Sequence, residues 1–334
     1  MLLKEMLKTN APSGCEDEMR ELILSRVKDM EHFVDSMGNV IVHKKGTGKK
    51  VLLSAHMDEV GFIVSKITDS GAVKFKTVGG ILTTVLLGKK VTIGKDRVPG
   101  ITGYKAIHLQ SGGERDNALS VSDIVIDIGA KDKASAERKV KVGDYGTFES
   151  EIVEYGDNLL KCKGLDDKVG CAALLELLKM DTDLDLYAAF TTQEEVGCRG
   201  SIIAANFVKP EIAIVFEGTT CSDVYGTPEE KTVTHLGCGC ALTAMDNAAV
   251  ADREMFEMAK RVAEENNIPY QVKRTTMGGT DAGSIQRSGM GVKCVVISTP
   301  CRYIHSGVSV MNKSDFEAQV SLGKAFLKEL AMSD

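Results

Sequence analysis

Residues 184–195, LDLYAAFTTQEE, join a short apolar run to an abrupt polar end that carries two adjacent glutamates, Glu194 and Glu195. Other stretches have the same form, namely KVLLSAHMDE (50–59), EIAIVFEGTT (211–220) and VKCVVISTPCRYIH (292–305). Short apolar runs that are rich in β-branched residues and bounded by polar or glycine-rich residues are typical of buried strands. We therefore predict a core strand in each stretch, with polar side chains at its carboxyl end.

Helical patterns alternate with these strands. The stretch DKVGCAALLELLKM (167–180) has apolar residues at helical spacing, and ADREMFEMAKRVAEE (251–265) has the pattern of an amphipathic helix. A further helix is expected over 312–332, with Asn312 or Ser314 as its N-cap. Strands that alternate with helices predict an α/β fold, in which a mainly parallel sheet is covered by helices on both faces.

Residues 66–156 have a different character, because they are rich in Gly, Val, Thr and Ile. Turn signals separate short strand-like runs there: AVKFKTV, KKVTIG, GYKAIHLQ, DIVIDIG and GTFES. Only KASAERKV indicates a helix. We predict a small all-β domain inserted at 66–156 into a catalytic α/β domain, which would then comprise residues 1–65 and 157–334.

Composition excludes several classes of protein. The chain has 41 Lys and Arg against 47 Asp and Glu, a net charge of −6, which argues against nucleic acid or an anionic membrane as a partner. Nine cysteines without paired CxxC motifs argue against a disulfide framework or a zinc ribbon. We see neither the apolar region of a signal peptide nor a membrane-spanning run of about 20 apolar residues, and therefore expect a cytoplasmic protein.

Metal-ligand side chains fall where the predicted strands end or a helix begins. Because ligand sites of open α/β sheets lie outside the carboxyl ends of the strands, we expect one crevice to be lined by His56, Asp58, Asp166, Asp167, Glu194, Glu195, Glu217 and His305. Each residue alone has an ordinary explanation, such as a solvated acid pair or a helix cap. Their coincidence in type and position favours a metal site. We expect the other histidines to be structural or surface residues; they are His32, His43, His108 and His235.

Two histidines with several carboxylates and no cysteine are typical of a catalytic site for zinc or a similar ion. The excess of carboxylates indicates two metals about 3.5–4 Å apart that share a bridging acid. At least one carboxylate would then be left over as a general base. Neighbouring side chains of a strand point to opposite faces, so we expect Glu194 and Glu195 to have different roles.

The motifs AHMDEVGFIV, GLDDKVGCAALLELL, TTQEEVGCRGS, GGTDAGSIQ and RYIHS, in this order, resemble those of the tetrahedral aminopeptidases. This is the glutamyl- and deblocking-aminopeptidase family of co-catalytic metallo-exopeptidases, some members of which carry an endoglucanase label. The resemblance runs from NAPSGCEDEMR near the start to His305 and includes the insert. It therefore covers essentially the whole chain.

The resemblance implies two divalent ions, Zn²⁺ or Co²⁺, in each subunit. His56 and Glu217 would bind the first ion, and Asp166 would bridge both ions. Glu195 and His305 would complete the second site. Many relatives have Asp where this chain has Glu217, and the longer side chain still offers a carboxylate.

The resemblance also implies a mechanism and an assembly. Glu194 would be the general base for hydrolysis of an N-terminal residue from a peptide, and Asp58 would orient His56. The insert would be a barrel-like dimerisation domain, and dimers would build a hollow tetrahedral dodecamer.

Several alternatives stay open. A glycoside hydrolase of the endoglucanase type needs two acids about 5–9.5 Å apart, but it would leave the two histidines without a role, and the chain has no Trp for sugar stacking. A purely structural metal site would favour cysteine ligands. Di-metal dipeptidases and deacylases share the HxD and EE elements, whereas GTDAG, RYIHS and the insert favour the aminopeptidase. Asp281 is expected to cap a short helix or to line the substrate pocket, and Arg302 to contact substrate or support its loop.

Overall fold

The computed structural model describes residues 2–113 and 118–333. Its strands, in chain order, are β1 Glu31–Val34, β2 Val40–Lys44, β3 Lys50–His56, β4 Gly61–Ile67, β5 Val73–Val78, β6 Lys90–Ile93, β7 Val98–Gly103, β8 Val125–Asp127, β9 Tyr145–Phe148, β10 Val153–Tyr155, β11 Leu159–Cys162, β12 Asp185–Thr191, β13 Ile212–Thr220, β14 Cys240–Thr243, β15 Tyr270–Val272, β16 Lys293–Arg302 and β17 Ser309–Asn312. They form an 11-stranded sheet and a separate closed barrel.

The helices are α1 Leu2–Met6, α2 Asp17–Val27, α3 Lys133–Glu137, α4 Leu165–Leu177, α5 Arg199–Val208, α6 Arg253–Glu265, α7 Asp281–Gln286 and α8 Lys313–Met332. Short 3₁₀ turns lie at Thr83–Val85, Ile107–Leu109, Val121–Asp123 and Glu229–Lys231. The predicted N-cap at Asn312 is confirmed, because its side-chain oxygen accepts a hydrogen bond from the backbone N–H of Ser314 at 2.9 Å. No helix in the described ranges is both long and apolar enough to cross a bilayer. The cytoplasmic location stays a prediction.

The large sheet has a parallel centre and antiparallel margins. Its order is β1-β2-β12-β3-β13-β16-β17-β11-β10, and β14 and β15 extend from β16. The strands β12, β3, β13 and β16 are mutually parallel and include the runs that the sequence predicted. The other pairs along this order, such as β2 with β12 and β16 with β17, are antiparallel, whereas the peripheral strands β14 and β15 pair in parallel. The α/β prediction is therefore confirmed, with its parallel character confined mainly to the centre.

Helices cover both faces of this sheet, as predicted. On one face, α4 and α8 contribute Leu174 and Phe326 to the main core, which also contains Phe216 of β13. On the other face, α5 and α7 contribute Ala204 and Ile285 to a second cluster against the sheet. Because both faces of the central strands are covered, those strands are apolar along their whole length and become polar only at their ends.

The insert is a closed barrel of the strands β4-β5-β8-β7-β6-β9 with its own core around Phe62, Val91 and Phe148. It begins earlier than the expected 66–156 boundary, because β4 belongs to the barrel. It also ends earlier, because β10 pairs with β11 of the large sheet. A local apolar pattern identifies a strand but not the sheet that the strand joins, which accounts for both differences.

Two further details of the insert differ from the prediction or agree with it. The stretch GYKAIHLQ was expected to be a strand, but only its first residue, Gly103, belongs to one, and the 3₁₀ turn Ile107–Leu109 follows. The helix indicated by KASAERKV is α3, and Asp132 caps it by accepting from the backbone N–H of Ser135 at 2.7 Å.

All nine cysteines of the chain are free thiols, in agreement with their spacing.

Candidate metal and active site

The carboxyl ends of the central strands bring the predicted residues together. β3 ends at His56, which lies opposite Thr191, the last residue of β12. Glu217 lies near the carboxyl end of β13, and His305 follows β16. Asp166 lies at the start of α4, where its backbone angles (φ −82°, ψ 109°) are not helical. The parallel register therefore aligns these chain segments at one edge of the sheet.

A first cluster forms around the buried imidazole of His56. Its Nε2 lies 3.3 Å from Asp166 Oδ1 and 3.5 Å from Glu217 Oε2. Its Nδ1 lies 3.0 Å from the carbonyl oxygen of Asp58, and a carbonyl can only accept, so Nδ1 carries the proton of the hydrogen bond. In the neutral imidazole Nε2 is therefore free to face the carboxylates, as a metal ligand requires.

A second cluster forms around His305. Its Nε2 lies 3.2 Å from Glu195 Oε2 and 3.6 Å from Asp166 Oδ2. Its Nδ1 donates to the carbonyl oxygen of Gly80 at 2.9 Å. Gly80 follows the barrel strand β5, so the insert orients a side chain of the α/β domain. Asp166 thus takes part in both clusters, one carboxylate oxygen toward each histidine.

The two glutamates of TTQEE face different parts of this arrangement. Glu194 Oε2 lies 3.9 Å from His56 Nε2, whereas Glu195 faces His305. The predicted reason for this divergence was wrong, because β12 ends at Thr191 and both glutamates lie in the loop that follows. The Glu194 carbonyl accepts from the N–H of Gly197 at 2.8 Å, so the two glutamates lie in a turn rather than in the pleat of a strand.

The electrostatics of the site show a surplus of buried negative charge. Burial raises the pKa of Glu217 to about 7 and the pKa of Glu195 to about 8, with the charge of Asp166 adding to both shifts. Burial alone would lower the pKa of His56, but the carboxylates of Glu217, Asp166 and Asp58 raise it well above its usual value. One carboxylate oxygen of Glu195 and one of Glu217 are buried without a hydrogen-bond partner. Cations between these groups would remove both the repulsion and the unsatisfied oxygens.

This donor set fits two divalent ions. One group of ligand atoms within 4.8 Å of one another comes from His56, Asp166 and Glu217, and another comes from Asp166, Glu195 and His305. Imidazole and carboxylate ligands suit zinc, cobalt and similar ions. The geometry therefore accommodates one ion in each group, with Asp166 able to reach both.

The remaining sequence predictions have mixed outcomes. Asp167 is buried and turned to the backbone, because it accepts from the N–H groups of His56 at 3.1 Å and Gly170 at 2.9 Å. Arg302 forms a bidentate ion pair with Asp223, at 2.6 and 2.7 Å, so it supports its own loop. Asp281 is not a helix cap, because Thr280 occupies the N-cap position of α7.

Other residues of the site gave no strong signal in the sequence. Ser13 donates to Asp58 Oδ2 at 2.6 Å, and the Cys198 thiol donates to Glu194 Oε1 at 3.3 Å. Ser13 is distant in sequence and could not have been found from spacing, whereas Cys198 follows Glu194 closely. His43 has acidic neighbours that the sequence did not reveal, Asp185 and Glu31, but it belongs to neither cluster.

An α/β sheet that gathers two histidine–carboxylate clusters at its strand ends is an architecture of metal-assisted hydrolases. The chain belongs to the M42 glutamyl aminopeptidase family, which matches residues 38–322, and it is therefore a peptide hydrolase. A protein of Acetivibrio thermocellus that is provisionally named an aminopeptidase is 37% identical over 326 residues, or 96% of each chain.

Solved structures agree with this assignment. A TET aminopeptidase from a marine-sediment archaeon of the Thaumarchaeota superposes with a TM-score of 0.96 at 33% identity, covering 99% of this chain and 96% of the other. The Pyrococcus horikoshii TET1 peptidase, which can assemble into a tetrahedron or a large octahedral shell, has a TM-score of 0.85 at 34% identity over 98% of both chains. The resemblance noted in the sequence motifs is thereby confirmed at the level of family and fold.

Proposed function

We propose that the chain is a di-metal aminopeptidase that removes N-terminal residues from peptides, with Glu194 as its general base. The observation that carries this proposal is the position of Asp166, whose two carboxylate oxygens lie 3.3 Å from His56 Nε2 and 3.6 Å from His305 Nε2. A carboxylate placed between two such clusters suits a bridging ligand. Glu194 lies beside both clusters, and neither cluster needs it as a metal ligand.

His56, Asp166 and Glu217 would hold one ion, and Asp166, Glu195 and His305 the other. When bound, two divalent ions supply Lewis acidity that polarises the scissile carbonyl and makes water a better nucleophile at neutral pH. The preference for Zn²⁺ or Co²⁺ follows from the nitrogen and oxygen ligands, which suit both ions. The carboxylate of Glu217 is available to the first cluster, since its Oε2 lies 3.5 Å from His56 Nε2.

Glu194 would accept a proton from the attacking water and return it to the leaving amine. Burial raises the pKa of Glu194 well above its usual value, and the charge of Glu217 adds to this shift while His56 opposes it. A raised pKa suits a group that must both accept and donate a proton near neutral pH. The Asp58 carboxylate would hold Glu194 in place by accepting a hydrogen bond from the backbone N–H of Glu194. The free α-amine of the substrate would lie near the acids of the second cluster, which favours cleavage at an N-terminus.

We also propose that the barrel mediates assembly into dimers and then into a dodecamer. Two observations support this part of the proposal: the assembly stated for the P. horikoshii relative, and apolar side chains that the insert leaves exposed, Leu82, Ile107 and Leu109. Contiguous exposed apolar patches commonly mark contacts with another chain, and these three side chains would contribute to such a patch if the assembly brings them together. Light scattering on the purified protein would distinguish a monomer, a dimer and a dodecamer.

The alternatives are separable by substrate. We would assay metal-stripped protein, reconstituted with Zn²⁺ or Co²⁺, on aminoacyl anilides with varied side chains, on N-acetylated anilides, on dipeptides and on carboxymethylcellulose. We expect hydrolysis of unblocked anilides and peptides only, and loss of activity with a chelator. Activity on carboxymethylcellulose that survives the chelator would favour the glycoside hydrolase. A strict preference for dipeptides or N-acylated substrates would favour the dipeptidase or the deacylase.

A further inference from the structure

We propose that Glu194, Cys198 and Asp281 form a third metal site, which takes zinc or a similarly soft divalent ion such as cadmium and inhibits the enzyme. Each side chain offers one ligand atom, and the three atoms lie within 4.8 Å of one another. A sulfur ligand favours zinc and cadmium over manganese or magnesium. Inhibition would follow because Glu194, as a ligand, could not accept a proton; this part rests on the base role proposed above.

The geometry of Cys198 is already that of a ligand beside Glu194. Cys198 is the N-cap residue of α5 with a left-handed backbone (φ 51°), and its N–H donates to the carbonyl of Glu194 at 2.8 Å. This turn brings its Sγ to 3.3 Å from Glu194 Oε1. Sulfur and oxygen ligands on one tetrahedral zinc ion lie about 3.5 Å apart, given the usual Zn–S and Zn–O distances. The observed 3.3 Å, which a thiol hydrogen bond now spans, is close to that value.

Asp281 provides the second, independent observation. It is fully buried, and its Oδ2 accepts from the Thr191 hydroxyl at 2.6 Å. Oδ1 has no partner in hydrogen-bond geometry, and burial raises the pKa of Asp281, a rise that the nearby Ser201 hydroxyl only partly offsets. Within residues 2–113 and 118–333, no lysine or arginine forms an ion pair with Asp281. An unpaired buried carboxylate oxygen is costly in free energy. A cation held together with Glu194 and Cys198 would offset the buried charge of Asp281.

Charge and access also favour the site. Two divalent ions in the main clusters carry four positive charges, fewer than the carboxylates gathered there: Asp58, Asp166, Asp167, Glu194, Glu195, Glu217 and Asp281. Glu194 and Asp281 belong to neither main cluster, so the two ions held there leave both carboxyl groups without a metal ligated to them. Glu194 and Cys198 are only partly buried, so an ion can reach the site from solvent. The thiol of Cys198 would release its proton to solvent as the ion binds.

The test is a metal titration beyond two equivalents per subunit. Bound metal is counted by mass spectrometry after equilibrium dialysis, and turnover of an aminoacyl anilide is followed at buffered free Zn²⁺. We expect a third equivalent to bind and turnover to fall by about tenfold or more. With Co²⁺, only this third equivalent should produce the near-ultraviolet absorption of a cobalt–thiolate bond, a signature that does not depend on activity.

Cys198→Ser retains a hydroxyl that can donate to Glu194 but removes the sulfur ligand. We expect it to lose the cobalt–thiolate absorption and to need at least about tenfold more free Zn²⁺ for inhibition, relative to its own turnover at two equivalents. Asp281→Asn should also weaken the binding of the third equivalent of metal. Cys238→Ser, which alters an exposed cysteine outside all three groups, is the matched control. The proposal would be overturned if the wild-type protein bound no more than two equivalents of metal per subunit. It would also be overturned if Zn²⁺ inhibited Cys198→Ser and the wild type equally. Failure of all hydrolysis, with the third equivalent still bound through the thiolate, would instead contradict the proposed aminopeptidase function.

Discussion

The carboxylate of Asp58 accepts a hydrogen bond from the backbone N–H of Glu194, with 3.0 Å between Oδ1 and the nitrogen. Its other oxygen accepts from the N–H of Glu195 at 3.2 Å and from the Ser13 hydroxyl at 2.6 Å. Asp58 therefore holds the loop after β12, as well as contacting His56 Nδ1 at 3.4 Å. The HxD motif and the EE motif form one hydrogen-bonded unit, and this unit directs the two glutamates to different clusters.

Glu194→Gln should keep two bound metals and lose turnover by about 10²-fold or more, because a general base contributes about that much. Glu195→Gln is the matched variant, one residue along the same loop, and it should lose metal from the His305 cluster. Metal counting and steady-state kinetics check both. If Glu194→Gln lost a metal while Glu195→Gln kept both, the roles of the two glutamates would have to be exchanged.

His56→Ala and His305→Ala should each lower metal occupancy to about one ion per subunit, because the imidazoles belong to separate clusters. Asp166→Ala should reduce both occupancies, since its oxygens face both histidines. His43→Ala is a suitable control, because the His43 ring stacks on Tyr187 at 4.1 Å between centroids and belongs to neither cluster. Equal metal content in all of these variants would contradict the ligand assignment.

Glu59→Gln should destabilise the protein by about 3–5 kcal/mol, the usual cost of removing one partner of a buried ion pair. Glu59 pairs with two buried lysines, Lys163 and Lys168, the latter at 3.3 Å, and both ammonium groups would lose their carboxylate. Lys168→Met should cost less, because the pair of Glu59 with Lys163 survives. Urea unfolding of the two variants gives the comparison, and an equal or larger loss for Lys168→Met would count against this account.

The ion pair of Arg302 with Asp223 predicts a dependence of stability on pH. Burial opposes the shift, but the Arg302 guanidinium and the Leu236 N–H together hold the pKa of Asp223 below its usual value. Such a group stabilises the folded state above its unfolded pKa of about 3.9, and this stabilisation is lost as the pH falls through the lower, folded pKa. The difference in unfolding free energy between wild type and Asp223→Asn should therefore shrink on acidification below about pH 4. Urea unfolding at several pH values measures it, and a difference that grows on acidification would have the wrong sign.

The sequence was sufficient to predict the four parallel core strands and the helices α3, α4, α6 and α8, but not α1, α2 and α5. The runs that end at His56 and Glu217 are apolar along their length and polar at their ends, and this pattern follows from burial of both faces of the strands. The carboxyl-end rule for α/β sheets then places the candidate ligands at one edge of the sheet. The prediction of a strand in GYKAIHLQ was wrong, because a short β-rich pattern does not distinguish a strand from a turn within a small barrel.

The sequence by itself determined the four central strands, the helices α3, α4, α6 and α8, and the types of side chain at the strand ends, because local periodicity reflects burial. Only the tertiary structure decided that β4 joins the barrel, that Gly80 of the barrel connection orients His305, and that Asp166 lies between both histidines. The divergence of Glu194 and Glu195 was predicted, but its cause is a turn after β12 that Asp58 holds from the loop after β3. These features depend on contacts between segments far apart in the chain. Packing of the whole domain sets such contacts, and no local pattern encodes them.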